Sequence, residues 1–406
     1  MSGFRQQFLT VSTGTLIAQG LTMALMPIVT RLYAPGDMGE YALAVSIYSI
    51  IGVMANLRLE LTLVLAKTDL EARVLATVAL VSSALFGVVS TLGLLLWKGP
   101  TVFTFLTGFS VFLTGAVQTM AYWLSRHQKF KEFAKRNIIE KLVVLILGLG
   151  LGWLGFQSWG LIGAQTAGLA CAFLYMINQG EFRFAVRDWW KTVRGFGDFP
   201  TKNVISSLFF AGALFLPSIL FAAHFPMEAL GQYNLTYRIY EIPITLVGTA
   251  FSTVYYRRNA ELATNERRRT FWRMTGLMAA LFGPPMVLTA LFGVPIFSFV
   301  FGADWSQAGY LALWLAPYSL SRLLYVSQWS MLLLERKLSL ELGIHITLFS
   351  AQVGGFFLGL WQGASVMSCV HWMAVLGTIT HLLGLLVIYR SLRSAPPNGP
   401  LKAKYA

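Results

Sequence analysis

Apolar stretches recur along nearly the whole of this chain, at about the twenty-residue length a helix needs to cross the hydrocarbon core of a bilayer. Twelve windows stand out. In the first half they lie near residues 8–30, 38–66, 74–97, 100–124, 138–156 and 158–178; in the second, near 202–224, 228–255, 272–294, 307–334, 340–361 and 364–389. The fold class this predicts is an all-α integral membrane protein with about twelve transmembrane helices. Composition agrees, since only 12% of the 406 residues are charged, against roughly 25% in a soluble domain. Spans occupy almost the full length, so no soluble catalytic domain fits beside them.

Positive charge beside the ends of spans is held on the cytoplasmic side, and here it alternates from loop to loop. Basic residues crowd at Lys67 and Arg73, from Arg126 to Arg136, from Arg183 to Arg194, from Arg257 to Arg273, at Arg336 and Lys337, and from Arg390 onward. With twelve spans, all of these fall on the side of the N-terminus, and the intervening loops carry little beyond Arg31 and Lys98. Both termini are therefore expected in the cytoplasm. Topology absorbs most of the formal charge of +14, including the run Arg267-Arg268-Arg269; contact with lipid head groups is the other reading, and nucleic acid is not an expected partner. Cys171 and Cys369 lie in apolar runs, where a thiol acts as a small hydrophobe. The stretch from Phe8 past Met26 has no small-residue cleavage site and reads as a retained first span.

The organisation expected is an N-terminal six-helix lobe over 1–180, a cytoplasmic linker over 181–201, a C-terminal six-helix lobe over 202–392 and a tail over 393–406. The linker mixes aromatic and basic residues around Asp188-Trp189-Trp190-Lys191, with Phe196, Phe199 and Pro200 following. That mix suits a short amphipathic helix at the inner interface, or a plain connection. A weak repeat relates the halves: Pro27 is followed by Gly39-Glu40-Tyr41, and Pro217 by Gly231-Gln232-Tyr233. Both halves begin on the cytoplasmic side, so the repeat is parallel, and transporters built this way bind substrate between repeats.

Ionisable groups inside spans cost about 2.5–3.5 kcal/mol each and mark pathways when they occur. Arg58 and Glu60 fall in the second window, Arg238 and Glu241 in the eighth and Arg322 in the tenth; the five together cost on the order of 15 kcal/mol before pairing. Asn234, Arg238 and Glu241 follow i, i+4, i+7 and share a helix face, joined by Tyr237 as a polar candidate. Tyr318, Arg322, Tyr325 and Trp329 form a second face, a cation among aromatic rings. The alternatives are a structural Arg238–Glu241 pair and an Arg322 held by tyrosines for packing. Arg58 and Glu60, two residues apart, point to opposite sides of a regular helix and line one cavity only if the helix breaks; Arg58 otherwise snorkels to head groups. Arg31 ends the first window near the outer face, as a ligand or an interfacial anchor. His371, Thr378 and His381 share a face of the last window, where packing is preferred to proton relay. Pro27, Pro217, Pro243, Pro284, Pro285 and Pro317 license bends.

Four segments carry a resemblance over nearly the whole chain: STGTLIAQGL…MPIVTRLYAPGDMGEYAL at 12–43, RLELTLVLAK at 58–67, YNLTYRIYEIPITLVGTAFSTVYYRR at 233–258 and FGADWSQAGYLALWLAPYSLSRLL at 301–324. In these the chain resembles the Wzx-type polysaccharide-unit flippases of the multidrug/oligosaccharidyl-lipid/polysaccharide exporter superfamily. The resemblance implies two six-helix lobes in a V around a central cavity, alternating access, and a place in the bacterial cytoplasmic (inner) membrane. It implies an undecaprenyl-diphosphate oligosaccharide as substrate, for O-antigen or exopolysaccharide. Arg58, Arg238, Arg322 and Arg31 would meet the diphosphate, and Asn234, Tyr237, Tyr318, Tyr325 and Trp329 the sugars. Glu60 and Glu241 are candidates for proton or sodium coupling, and polysaccharide polymerase and assembly proteins for partners. No cofactor, metal or enzymatic activity is expected. A drug/cation antiporter of the same superfamily is the alternative and would need an acidic cavity. A membrane polymerase or ligase would need acids and bases in a sizeable loop, and the outer loops are short.

Overall fold

The computed structural model describes residues 19–196, 199–262, 264–334 and 337–393. Residues 8–18 of the first expected span, Arg336 and the tail past residue 393 lie outside the described residues. The described chain is helical, with no strand among its elements. Residues 19–32 form α1, followed by α2 (Pro35–Ala55), a 3-10 segment (Leu59–Val64), α3 (Asp69–Lys98), α4 (Val102–Arg126), α5 (Phe130–Trp153), α6 (Ser158–Gln179) and a short α7 (Trp189–Arg194). Then come α8 (Phe199–His224), α9 (Met227–Glu261), α10 (Thr264–Leu291), α11 (Gly293–Phe301), α12 (Ser306–Gln328), α13 (Ser330–Leu334), α14 (Leu338–Gly363) and α15 (Val366–Arg393).

Among the described residues eight helices are long and apolar enough to cross a membrane: α2, α3, α4, α6, α8, α10, α14 and α15. Twelve were expected from the sequence. The long helices α5, α9 and α12 fall short of that apolarity because they carry the polar and ionisable residues. Helix ends follow local chemistry. α3 opens on a reciprocal capping box, in which Thr68 Oγ1 accepts from the Glu71 amide at 3.2 Å and Glu71 Oε2 accepts from the Thr68 amide at 3.3 Å. It stops at Gly99, whose φ of 73° is a left-handed conformation that glycine adopts without strain. α5 begins at Phe130, eight residues before the expected edge, because Lys129 through Lys135 continue the helix on its polar side.

The second expected span, 38–66, is not one helix. α2 ends at Ala55, and Leu57 and Arg58 both take left-handed backbone, with φ of 53° and 56°. The break falls where there is no proline, whereas Pro217, Pro243, Pro284, Pro285 and Pro317 all lie inside continuous helices.

Two compact units divide at Gly231 and Gln232, and α8, which packs along α2, belongs with the first unit. In this first unit a core of Leu59, Leu63, Leu75, Met120, Trp123 and Met176 joins the 3-10 segment to α3, α4 and α6, and Trp123 Nε1 donates to the Gly180 carbonyl at 2.9 Å. α2 also meets the first turn of α9 with backbones touching: a Cβ on Gly39 would strike the Met227 carbonyl, and one on Gly231 would strike the Pro35 carbonyl. The contact is reciprocal. In the second unit Phe271, Met331, Leu332, Ile388 and Leu392 form a core around Tyr325.

Candidate functional site

In the first unit the broken segment after α2 brings Arg58 and Glu60 to the same place. Asn56 caps α2 and fixes the turn, its Oδ1 accepting from the Arg58 amide at 3.2 Å and its Nδ2 donating to Gln118 Oε1 at 3.3 Å. With the helix broken, Arg58 Nη1 reaches Glu60 Oε1 at 3.2 Å; Glu60 is fully buried and the Arg58 side chain is 20% exposed. Among the described residues Glu60 Oε2 and Arg58 Nε make no hydrogen bond, so the pair keeps capacity for a further acceptor and donor. Tyr122 of α4 stands within electrostatic reach of both. Arg126 closes the segment, Nη1 donating to the Leu63 and Ala66 carbonyls at 2.7 and 2.8 Å. Its charge thus holds the turn.

Left-handed backbone costs a non-glycine residue about 1–2 kcal/mol. Leu57→Gly is therefore expected to hold or raise the melting temperature of the purified protein, and Leu57→Val, whose branched Cβ is worse placed, to lower it. Equal shifts for both would remove the strain from this account.

In the second unit Gln232 and Thr236 clamp the start of α9 to the start of α12. Gln232 Nε2 donates to the Asp304 carbonyl at 2.6 Å and its Oε1 accepts from the Ala308 amide at 2.8 Å, while Thr236 Oγ1 donates to the Ala308 carbonyl at 2.8 Å. Further along the same helices, Arg322 of α12 meets Glu241 of α9 with both terminal nitrogens. Nη2 donates to Oε1 at 3.0 Å, Nη1 to Oε2, and Nη1 also to the Tyr237 hydroxyl at 2.7 Å. Arg322 is buried, and the Glu241 side chain is 25% exposed. This bidentate fork is the strong form of the interaction.

The expected faces are partly redistributed. Glu241 pairs with Arg322, a partner that the spacing of Asn234, Arg238 and Glu241 along one helix did not suggest. Asn234 and Arg238 are half-buried. Tyr318 and Tyr325 pack their rings against His381 of α15 at 5.3 and 5.6 Å, and Ser321 Oγ lies 3.3 Å from His381 Nδ1. Those tyrosines and His381 thus pack against one another between α12 and α15. Trp329 sits at the end of α12 against the core, and Arg31 is exposed near the end of α1. His371 packs edge-on to Trp314 at 4.1 Å.

One cluster is not among the sequence candidates. Glu140 of α5 is buried between Arg136 at 3.2 Å and Lys141 at 3.1 Å. Its signal is the i, i+4 spacing of Arg136 and Glu140 leading into an apolar window.

The fold these helices build is shared with solved structures of MOP superfamily transporters. The chain is similar to the lipid II flippase MurJ in an inward closed conformation, 13% identical with a TM-score of 0.70 over 94% of this chain and 88% of that one. It is similar to a multidrug resistance MATE family transporter in an inward-facing conformation, 15% identical with a TM-score of 0.65 over 98% and 96%. A MOP superfamily transporter from Pyrococcus furiosus, described by a reverse polarity of its binding pocket, aligns at 13% identity and a TM-score of 0.54 over 96% of each chain. Residues 28–309 match the polysaccharide biosynthesis protein family, and the chain belongs to it. No curated protein matches it by sequence. The family and the shared fold agree with the resemblance carried by the four sequence segments.

Proposed function

We propose that this protein flips polyprenyl-diphosphate-linked oligosaccharide units from the cytoplasmic to the periplasmic leaflet by alternating access, for assembly of a surface polysaccharide. The twelve-span count, the two six-helix lobes about a central cavity, the inner-membrane location with cytoplasmic termini, and the polymerase or assembly partners belong to the same proposal. The observation that carries it is the charge balance of the buried sites. Glu60 and Glu241 each lie against an arginine, and among the five candidates Arg58, Glu60, Arg238, Glu241 and Arg322 the arginines number three to two carboxylates. A site for cationic drugs needs acids in excess, which is why the antiporter reading is set second.

A bare diphosphate cannot enter hydrocarbon, where an isolated ion costs tens of kcal/mol; forked guanidinium donors match its oxygens. Arg58 and Arg238, the less enclosed of the three, are the first contacts, with Arg31 at the outer end and Asn234 and Tyr237 beside the sugars. Tyr318, Tyr325 and Trp329 shape the wall behind Arg322. Protonation of Glu241, or sodium bound to it, would release Arg322 to the diphosphate, which couples substrate to an ion; Glu60 offers the same exchange with Arg58. An inside-negative potential favours outward movement of the anion by about 2.3 kcal/mol per charge per 100 mV.

The test is translocation of a polyprenyl-diphosphate oligosaccharide in proteoliposomes. Hydrogen bonds to charged groups are worth about 1.5–3 kcal/mol, so Arg58→Ala and Arg238→Ala are expected to slow flipping by roughly tenfold or more at equal incorporation. Unchanged rates would remove these arginines from the site. A wild type that exchanges cationic dyes and moves no lipid-linked sugar would replace the flippase by the antiporter.

A further inference from the structure

The sequence leaves one basic residue unexplained. Lys98 is the single charged residue between Arg73 and Arg126, and it lies at the end of α3 opposite the basic loops. Its Nζ is held over the rings of Phe103, 4.5 Å from the centroid, and Trp97, at 5.2 Å. Among the described residues no carboxylate pairs with it. Immediately below, α3 and α4 enclose an apolar groove of about 720 Å³, lined by Ala84, Val88, Leu92 and Leu95 on one side and Phe105 and Phe109 on the other. Val88, Leu92, Phe105 and Phe109 are exposed and open it to the side.

We infer that this groove holds an anionic diacyl phospholipid of the leaflet opposite the basic loops, its chains against α3 and α4 and its head group on Lys98. The inference is independent of the transported substrate. Three observations fix the occupant. The groove runs from Ala84 to Leu95, about 16 Å at 1.5 Å per residue, close to half of a hydrocarbon core about 30 Å thick; its ligand is therefore one leaflet long. Val88, Leu92, Phe105 and Phe109, all exposed, open the groove along its length, so acyl chains of the surrounding leaflet reach it from the side. Lys98 sits one turn past Leu95, at head-group depth, and the first turn of α4 beside it carries no acid, so the positive end of that helix adds to the ammonium. An apolar slot alone would accept any lipid, and the cation at its mouth selects for net negative charge.

The experiment uses the full chain in phosphatidylcholine vesicles containing a trace of phosphatidylglycerol with a photoactivatable acyl chain, followed by mapping of labelled peptides. Labelling is expected to concentrate on residues 84–112 and to fall about tenfold in Lys98→Glu. Leu92→Trp, which keeps the cation and fills the exposed slot, is expected to lower it as well, and matched melting curves check that both variants fold. A phosphatidylcholine probe should label the segment at least threefold less. Labelling spread evenly over lipid-facing helices, or equal use of both probes, overturns the site. Displacement of the probe by equimolar polyprenyl phosphate overturns the phospholipid and gives the groove to a polyprenyl chain.

Discussion

Arg322→Met is expected to lower stability by about 3 kcal/mol and to abolish transport, whereas Arg322→Met combined with Glu241→Gln regains most of the stability and none of the transport. The single substitution strands a carboxylate that is three-quarters buried, and breaking a buried pair from one side costs about 3–5 kcal/mol; the partial exposure of Glu241 places this case at the lower end. The double variant removes both charges, and neutral side chains of similar volume replace a buried ion pair at little cost. Tyr237 loses its Arg322 donor in either case. Melting curves of the four proteins form a double-mutant cycle, in which contacting residues couple by 0.5–3 kcal/mol. Flipping assays on the same four proteins separate the two roles. Should the double variant transport as well as wild type, the pair is structural and the exchange between Glu241 and the diphosphate is ruled out.

The eight helices long and apolar enough to span a membrane were legible because a bilayer imposes one length and one apolar character on each helix. The expected sixth span, 158–178, is α6, Ser158–Gln179, and the expected fourth, 100–124, is α4, Val102–Arg126. The break at Asn56–Arg58 was legible only as a condition: Arg58 and Glu60 can meet only if the helix breaks, yet no proline or glycine marks the place. The turn is fixed by an asparagine bonded to Gln118 on a helix sixty residues away, and a tertiary contact of that kind leaves no local signature. For the same reason the periodicity of α9 grouped Glu241 with Arg238, while its partner is on α12. Periodicity tells which residues share a face and not what the face meets. Arg58, Glu60, Glu241 and Arg322 stand out in the sequence as charge in an apolar run, and the structure sets them in pairs; Glu140 escaped because lysine and arginine around it made it look like the edge of a loop.

Gly39→Ala is expected to destabilise the protein by about 2 kcal/mol, and Gly231→Ala by a similar amount, although each adds a single methyl group. At both positions the added Cβ meets backbone, the Met227 carbonyl in one case and the Pro35 carbonyl in the other. A side chain in the way can rotate aside; a backbone carbonyl of a helix moves only with its helix. Overpacking that the surroundings cannot absorb costs about 1–3 kcal/mol, so the two substitutions belong in the upper half of that range. Gly150→Ala and Gly276→Ala, where a Cβ would find nothing within 4 Å, are the controls and should be neutral or stabilising, since alanine favours the helix by up to about 1 kcal/mol. The two glycines face one another in a single crossing, so one separation of α2 from the start of α9 relieves both clashes. The double variant Gly39→Ala/Gly231→Ala should then cost well under the sum of the singles. Additive melting shifts would mean that the two positions relax separately and that the helices do not touch there.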